Sequence, residues 1–144
     1  MNDIVCSGAL FYAKSTKRFL FLLRNGGRTS GTWGIVGGKQ EDTDANNFEA
    51  LKREIVEEIG LMPDVKKTIP LELFVSKDDK FFYHTYLMIV EDEFIPKLNQ
   101  EHKGWCWSEM DHSPKPLHQG LKSSFSNKII RTKLETVFDL INII

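Results

Sequence analysis

The sequence predicts an α+β protein folded as one domain over residues 1–144. Three observations predict it. Short apolar runs of strand length fill most of the first forty residues and recur between Thr68 and Trp107. Only two segments carry apolar residues at helical spacing, one mid-chain and one near the C-terminal end. The strands come in groups rather than alternating one for one with helices, which argues against a regular βαβ repeat. A chain of 144 residues, 41% hydrophobic and 27% charged, has the bulk for one ordinary core.

Ile4 to Ala13 is rich in apolar and aromatic residues and reads as a strand, with Lys14-Ser15-Thr16-Lys17 as its turn. Phe19 to Leu23 is a continuous apolar run that suits a buried strand. Asn25 to Thr32 holds three glycines, one arginine and no large apolar residue, follows directly on Arg24, and reads as a cationic loop. Trp33 to Gly38 is a brief strand ending in two glycines. Asn46 or Asn47 caps the next helix, which runs to about Ile59 with Ala50, Leu51, Ile55 and Ile59 on its apolar side. Gly60 is the expected stop, with Pro63 just beyond. Thr68 to Ser76 and Phe81 to Val90 form a hairpin across Lys77-Asp78-Asp79-Lys80. Gly104 to Trp107 is another short strand, with one of Trp105 and Trp107 expected inside and the other outside. Ser113 to Gly120 contains two prolines and no clear period. From about Ser126, residues Ile130, Leu134, Val137, Phe138 and Ile141 share one face of an amphipathic helix.

Charge and composition narrow the function. Net charge is −1, from 19 basic and 20 acidic side chains, so no global basic field is available to hold long nucleic acid. Any small anionic ligand must be gathered locally. Two cysteines, Cys6 and Cys106, are too few for a disulfide framework, and both fall in strands where buried packing is expected. Met1-Asn2-Asp3-Ile4 carries no basic leader, and no apolar run approaches membrane-spanning length. These features predict a cytoplasmic setting with no membrane partner.

The chemistry-bearing residues lie on the middle helix. Glu54, Glu57 and Glu58 stand at i, i+3 and i+4 and project from one face. Three like charges so close repel. Arg53, four residues before Glu57, can pair with it, but one guanidinium does not neutralise three carboxylates. A divalent metal does, and hard oxygen ligands suit Mg²⁺ or Mn²⁺. A solvated acidic face is the competing interpretation of the helix alone. The preceding Gly37-Gly38-Lys39 adds to the metal reading, because a diglycine lets backbone approach a ligand and frees a carbonyl for it.

Taken together, Gly38 … Arg53-Glu54-Ile55-Val56-Glu57-Glu58-Ile59-Gly60-Leu61 resembles the signature of the Nudix (MutT-like) hydrolases. Three positions depart from that pattern. The acid that follows the glycine after five intervening residues is Asp44 rather than glutamate, and the interval from it to the arginine is one residue longer, with the extra residue placed in the loop near Asn46. Val36 stands where a proline often precedes the diglycine. The resemblance continues upstream through Arg24 … Thr32-Trp33-Gly34-Ile35-Val36-Gly37-Gly38, and downstream to Glu101-His102-Lys103-Gly104-Trp105-Cys106-Trp107.

The resemblance implies the Nudix fold, an α/β/α sandwich around a mixed sheet, and a pyrophosphohydrolase of small nucleotide substrates. It implies that Glu54, Glu57 and Glu58 hold the metal with the Gly37 carbonyl, that Arg53 orients Glu57, and that either Glu54 or Glu101 takes the proton of the attacking water. Glu101 joins the metal set in the second case. Arg24, Arg28, Trp33 and Lys39 are the candidate substrate contacts, each with a plain surface or packing role as its alternative. The four histidines show no zinc-like spacing, and His118 lies in a loop for which covering the pocket is the alternative to a plain loop role. Cleavage of nucleoside triphosphates, including damaged ones, to monophosphate and pyrophosphate is the leading expectation, favoured by a short chain without an N-terminal swapping domain. Hydrolysis of ADP-ribose, sugar nucleotides or dinucleotides is the alternative, and a non-catalytic nucleotide-binding module is the alternative of another class. The assembly expected is a monomer or homodimer.

Overall fold

The computed structural model of the chain describes residues 3–141. The first two residues of the stretch read for a leader, and the last three of the 1–144 domain, lie outside that range. The elements are β1 (Ile4–Ala13), β2 (Arg18–Arg24), β3 (Trp33–Gly34), β4 (Val36–Lys39), α1 (Asn47–Ile59), β5 (Val65–Val75), β6 (Phe81–Val90), β7 (His102–Ser108), α2 (Gln119–Ser126) and α3 (Lys128–Ile141), with a 3-10 turn at Met110–His112. Among the described residues no helix is long and apolar enough to cross a membrane.

The seven strands form one mixed sheet. Its main path is β3-β2-β1-β6-β5, with β4 also paired to β1 and β7 also paired to β2. Strand β1 divides its edge between two partners. Its N-terminal half pairs antiparallel with β4, from Cys6↔Lys39 to Ala9↔Val36, and its last two residues pair with β2. Its other edge runs parallel to β6 along its whole length, Ile4↔Phe81 to Ala13↔Val90. Because helices cover both faces of the sheet, β1 is apolar on both, and Ala9 to Ala13 are all buried.

Alternation along β1 feeds two cores. Ala9, Phe11 and Ala13 join Leu20, Leu22, Met88 and Val90 on the face covered by Leu51, Ile55 and Ile59 of α1. Leu10 and Tyr12 join Phe19, Phe21, Leu87 and Ile89 on the face covered by Leu121 and Phe125 of α2 and Ile130, Leu134 and Ile141 of α3. Aromatic rings knit this second layer, with Tyr12 stacked on Phe138 at 4.5 Å between centroids and Phe21 edge-on to Phe125. The result is the predicted α/β/α sandwich.

Four details depart from the sequence reading. The strand expected at Trp33 to Gly38 is interrupted at Ile35, because β3 pairs with β2 while β4 turns to pair with β1. The hairpin's first strand begins at Val65, ahead of Thr68, and β7 begins at His102. Trp105 and Trp107 do differ in exposure, at 38% and 7%, but not by facing opposite ways. They are two residues apart and share the α1 face, opposite Leu22 and Leu20 respectively; Trp107 lies deeper and donates from Nε1 to the Phe94 carbonyl at 3.0 Å. Finally, α2 was hidden by its serines and by Gly120, though Leu121 and Phe125 carry the i, i+4 spacing. Cys6 and Cys106 are half-buried free thiols on β1 and β7.

Candidate active site

Helix α1 is held at both ends by contacts that orient its glutamates. Asn46 caps the N-terminus, its side chain accepting from the Glu49 N–H at 2.9 Å. Asn47 donates to the Tyr86 hydroxyl at 2.7 Å, and Ser7 Oγ donates to the Asn47 carbonyl, which ties the first turn to β1 and β6. Gly60 ends the helix in the left-handed region, at φ 78°, with its N–H on the Val56 carbonyl. The final turn leaves carbonyls to be satisfied from outside. Lys97 N–H takes that of Ile59, and Asn99 Nδ2 takes that of Glu57 at 2.9 Å.

The glycine pair fits against the same helix. Gly37 lies opposite Gly8 and Gly38 opposite Ser7 in the β1–β4 ladder. A side chain begun at Gly37 would strike the Ser7 carbonyl and the Gly8 backbone, and one at Gly38 would strike the Glu54 carboxylate. Close approach of backbone thus requires glycine at Gly37, whereas at Gly38 the space is taken by the movable end of the Glu54 side chain.

The three glutamates sit in different environments. Glu58 is buried, 3% exposed, and accepts from the Gly37 N–H at 3.0 Å. Burial pushes its carboxyl up to about 9, and the neighbouring Glu54 carboxylate adds to the rise against the pull of the Gly37 N–H. Glu54, its side chain 12% exposed, is raised by burial as well, with Arg53 opposing. Glu57 is exposed, and Arg53 reaches it only at 3.3 Å. Among the described residues no three acidic, histidine or cysteine side chains already converge on one point. The donor chemistry nonetheless suits a divalent cation. Two crowded carboxylates, one of them buried without a cationic partner, lie against a backbone stripped of side chains, and a cation there relieves the repulsion.

Arg53 is the hub of this face, but Glu57 is not its main partner. Its Nε and Nη2 form a bidentate pair with Asp44 at 3.0 and 2.8 Å, its Nη1 donates to Glu54 at 2.8 Å, and Nη2 also reaches the Lys39 carbonyl at 3.2 Å. Asp44, its side chain 7% exposed, further accepts from the Glu41 N–H at 2.8 Å. The Arg53 guanidinium holds the Asp44 carboxyl down at about 2. Asp44, at the position where the sequence departs from the family pattern, is therefore a clamp on Arg53. Residues 40–46, between β4 and α1, form the loop that carries Asp44.

The remaining candidates divide into near and far. Glu101 is exposed beside the C-terminal end of α1; Asn99, bonded to the Glu57 carbonyl, also receives the Glu101 N–H at 2.9 Å. The charge of Glu101 adds to the upward push on Glu58, so the two share one electrostatic field. Lys39 keeps its amine in solvent. Arg28 is exposed on the Asn25–Thr32 loop and forms no side-chain hydrogen bond with a described residue. Trp33 packs against the α2/α3 core, forms a bridge with Leu117, and exchanges backbone hydrogen bonds with Pro116 and His118.

Arg24 sits in a polar cluster that the sequence did not reveal. Its charge lowers the pKa of His102 and of His118, in both cases after burial as the larger cause, and opposes the burial that raises Tyr83. The buried Arg24 Nε and both ring nitrogens of His102 have no hydrogen-bond partner. Each such buried, unpaired group costs about 1–3 kcal/mol. The available signal was His102 beside Glu101 at the head of a strand. Strand polarity alone does not say that Arg24 stands across from it.

Comparison with known proteins agrees with this fold. The family model described as NUDIX domain matches residues 5–127. No curated protein matches the chain. Among solved structures, a MutT protein from Methanosarcina mazei Go1 is 23% identical, with 98% of this chain and 96% of that chain covered and a TM-score of 0.67. A Caenorhabditis elegans Ap4A hydrolase binary complex is 19% identical, with 92% and 97% covered and a TM-score of 0.68. The NUDIX domain of Shewanella oneidensis NrtR, complexed with ADP ribose, is 14% identical, with 95% and 90% covered and a TM-score of 0.70. At these identities the three structures establish a shared fold.

Proposed function

The chain belongs to the NUDIX family of pyrophosphohydrolases, and on that premise we propose that it hydrolyses nucleoside triphosphates to nucleoside monophosphate and pyrophosphate. The observation that carries the reading is the pair of crowded carboxylates, Glu54 and Glu58, pressed against the Gly37–Gly38 backbone. Glu54, Glu57 and Glu58, with the Gly37 carbonyl, are the residues that would hold Mg²⁺ or Mn²⁺. Such an ion supplies charge neutralisation and lowers the pKa of water.

The chain's own groups do the rest. Asp44 fixes Arg53, and Arg53 fixes Glu54 by a 2.8 Å bond. A carboxylate, Glu54 or Glu101, takes the proton of a water that adds to one phosphorus as the P–O bond to the leaving phosphate opens. Glu54 is the base already held in place, whereas Glu101 is held only through its backbone. Arg24, Arg28 and Lys39 are offered to phosphate oxygens and Trp33 to the base. We place this activity in the cytoplasm, on a single domain over residues 1–144.

The test is a Mg²⁺-dependent hydrolysis panel with product identification, comparing nucleoside triphosphates, ADP-ribose, sugar nucleotides and dinucleotides. Pyrophosphate release from triphosphates, reduced at least about a hundredfold in Glu57→Gln, is the expected result. Monophosphate products from a diphosphate conjugate would shift the reading to that substrate class. Tight nucleotide binding without turnover on any substrate would replace it with a binding module, and turnover surviving in Glu57→Gln would sink the assigned site.

A further inference from the structure

Three buried nitrogens gather at the head of β7. His102 is 4% exposed, yet neither Nδ1 nor Nε2 finds a hydrogen-bond partner, and the same is true of Arg24 Nε. The two residues stand opposite each other in the β2–β7 ladder, at the irregularity that passes over Lys103. The backbone around them is fixed: Asn25 N–H donates to the Glu101 carbonyl at 2.9 Å, and Arg24 N–H to the Thr32 carbonyl at 2.9 Å. Folded proteins seldom leave buried nitrogens unpaired, and three together call for a group that arrives from outside.

The chemistry of the cluster specifies that group. Arg24 is a donor at every nitrogen, and it makes no side-chain hydrogen bond or ion pair with a described residue. A neutral imidazole at position 102 offers one N–H. His118 accepts from the Gly120 N–H through Nδ1 at 3.1 Å, so its own proton stands on Nε2 as a further donor. Glu101, next to His102, is exposed and turned towards Asn99. A donor-rich cluster with a full positive charge suits an oxyanion.

We propose that His102 and Arg24 form a two-donor oxyanion subsite that receives a non-bridging phosphate oxygen of the substrate. The inference rests on the nucleotide-hydrolase reading for the identity of that substrate and on the unpaired nitrogens for the site itself. His102 here is a binding residue; it takes no part in the proton transfer.

The test is calorimetric binding of inorganic tripolyphosphate, at fixed Mg²⁺, to the wild type, His102→Phe, His102→Gln, Arg24→Gln and the His102→Phe/Arg24→Gln double variant. His102→Phe should weaken binding tenfold or more, while His102→Gln, which keeps a donor, stays within threefold of the wild type. The double variant should bind no more than threefold worse than the weaker single, because the two donors serve one oxygen. Ligand-free His102→Phe should melt at or above the wild-type temperature, since the change removes unpaired polar atoms. Binding by His102→Phe within twofold of the wild type would overturn the proposal. So would failure of the wild type to take up tripolyphosphate, or equal weakening in the Phe and Gln variants accompanied by lower melting temperatures, the signature of a structural residue. Tripolyphosphate binding without nucleoside triphosphate hydrolysis would retire the reaction and leave this subsite standing.

Discussion

Burial raises the Glu58 carboxyl, so a metal that binds there competes with a proton. That carboxyl ordinarily titrates near 4.5 and is pushed up to about 9 in the metal-free protein. A raised carboxyl contributes stability that is whole below its unfolded value and is lost as pH climbs through the folded one. The metal-free protein should therefore lose stability between about pH 5 and pH 9, and metal should bind more tightly over the same range as the proton leaves. Melting scans with and without Mg²⁺ check this: the metal-induced rise should be larger at pH 8.5 than at pH 6, and a pH-independent rise would refute it. Asp44 has the opposite sign. Held down at about 2 against an ordinary value of 3.8, it stabilises the fold above pH 4, and that contribution disappears as pH falls towards 2. The melting gap between the wild type and Asp44→Asn should be constant from pH 5 to 7 and narrow below pH 4; a gap unchanged at low pH would exclude the Arg53 pairing as its cause. The two carboxylates also mark how far sequence reasoning reached. Glu54, Glu57 and Glu58 were legible because helical spacing fixes their common face. That Asp44 rather than Glu57 is the main partner of Arg53 was not, since it depends on the fold of the Gln40–Asn46 loop. Local spacing likewise says nothing of what lies opposite Arg24.

At the level of elements, α1 was the best-signalled part of the chain. Asn46, Gly60 and the apolar positions Leu51, Ile55 and Ile59 state its start, stop and buried side without reference to anything distant. Removing the cap in Asn46→Ala should cost about 1 kcal/mol in urea unfolding, with the denaturant slope unchanged. A loss well below half that value would show that the Asn47 and Ser7 contacts already hold the first turn. The strands were legible as strands, but their partners were not. Nothing local tells β1 to leave β2 after two pairs and accept β4, and the break at Ile35 follows from that exchange. Helix α2 was missed because eight residues with three serines and a glycine carry too little apolar signal; its face is visible only once Phe19 and Phe21 are known to lie beneath Phe125.

For the molecule as a whole, the sheet is the shared wall of two cores, and each helical layer depends on it. Leu134 is fully buried in the α2/α3 layer, so Leu134→Ala should cost about 2–5 kcal/mol. Because that layer lies across the sheet from the glutamates, the surviving folded fraction should keep its turnover per molecule at 15 °C. A large loss of turnover without loss of stability would show that the far layer shapes the site directly. The parallel pairing of β1 with β6 has a consequence for the nascent chain. Strand β1 is strongly apolar, and once made it must wait for a parallel neighbour that begins only at Phe81. At about 5–20 residues per second that interval is on the order of ten seconds. During it the β6 edge of β1 stays unpaired, which makes the newborn strand a natural client for chaperones.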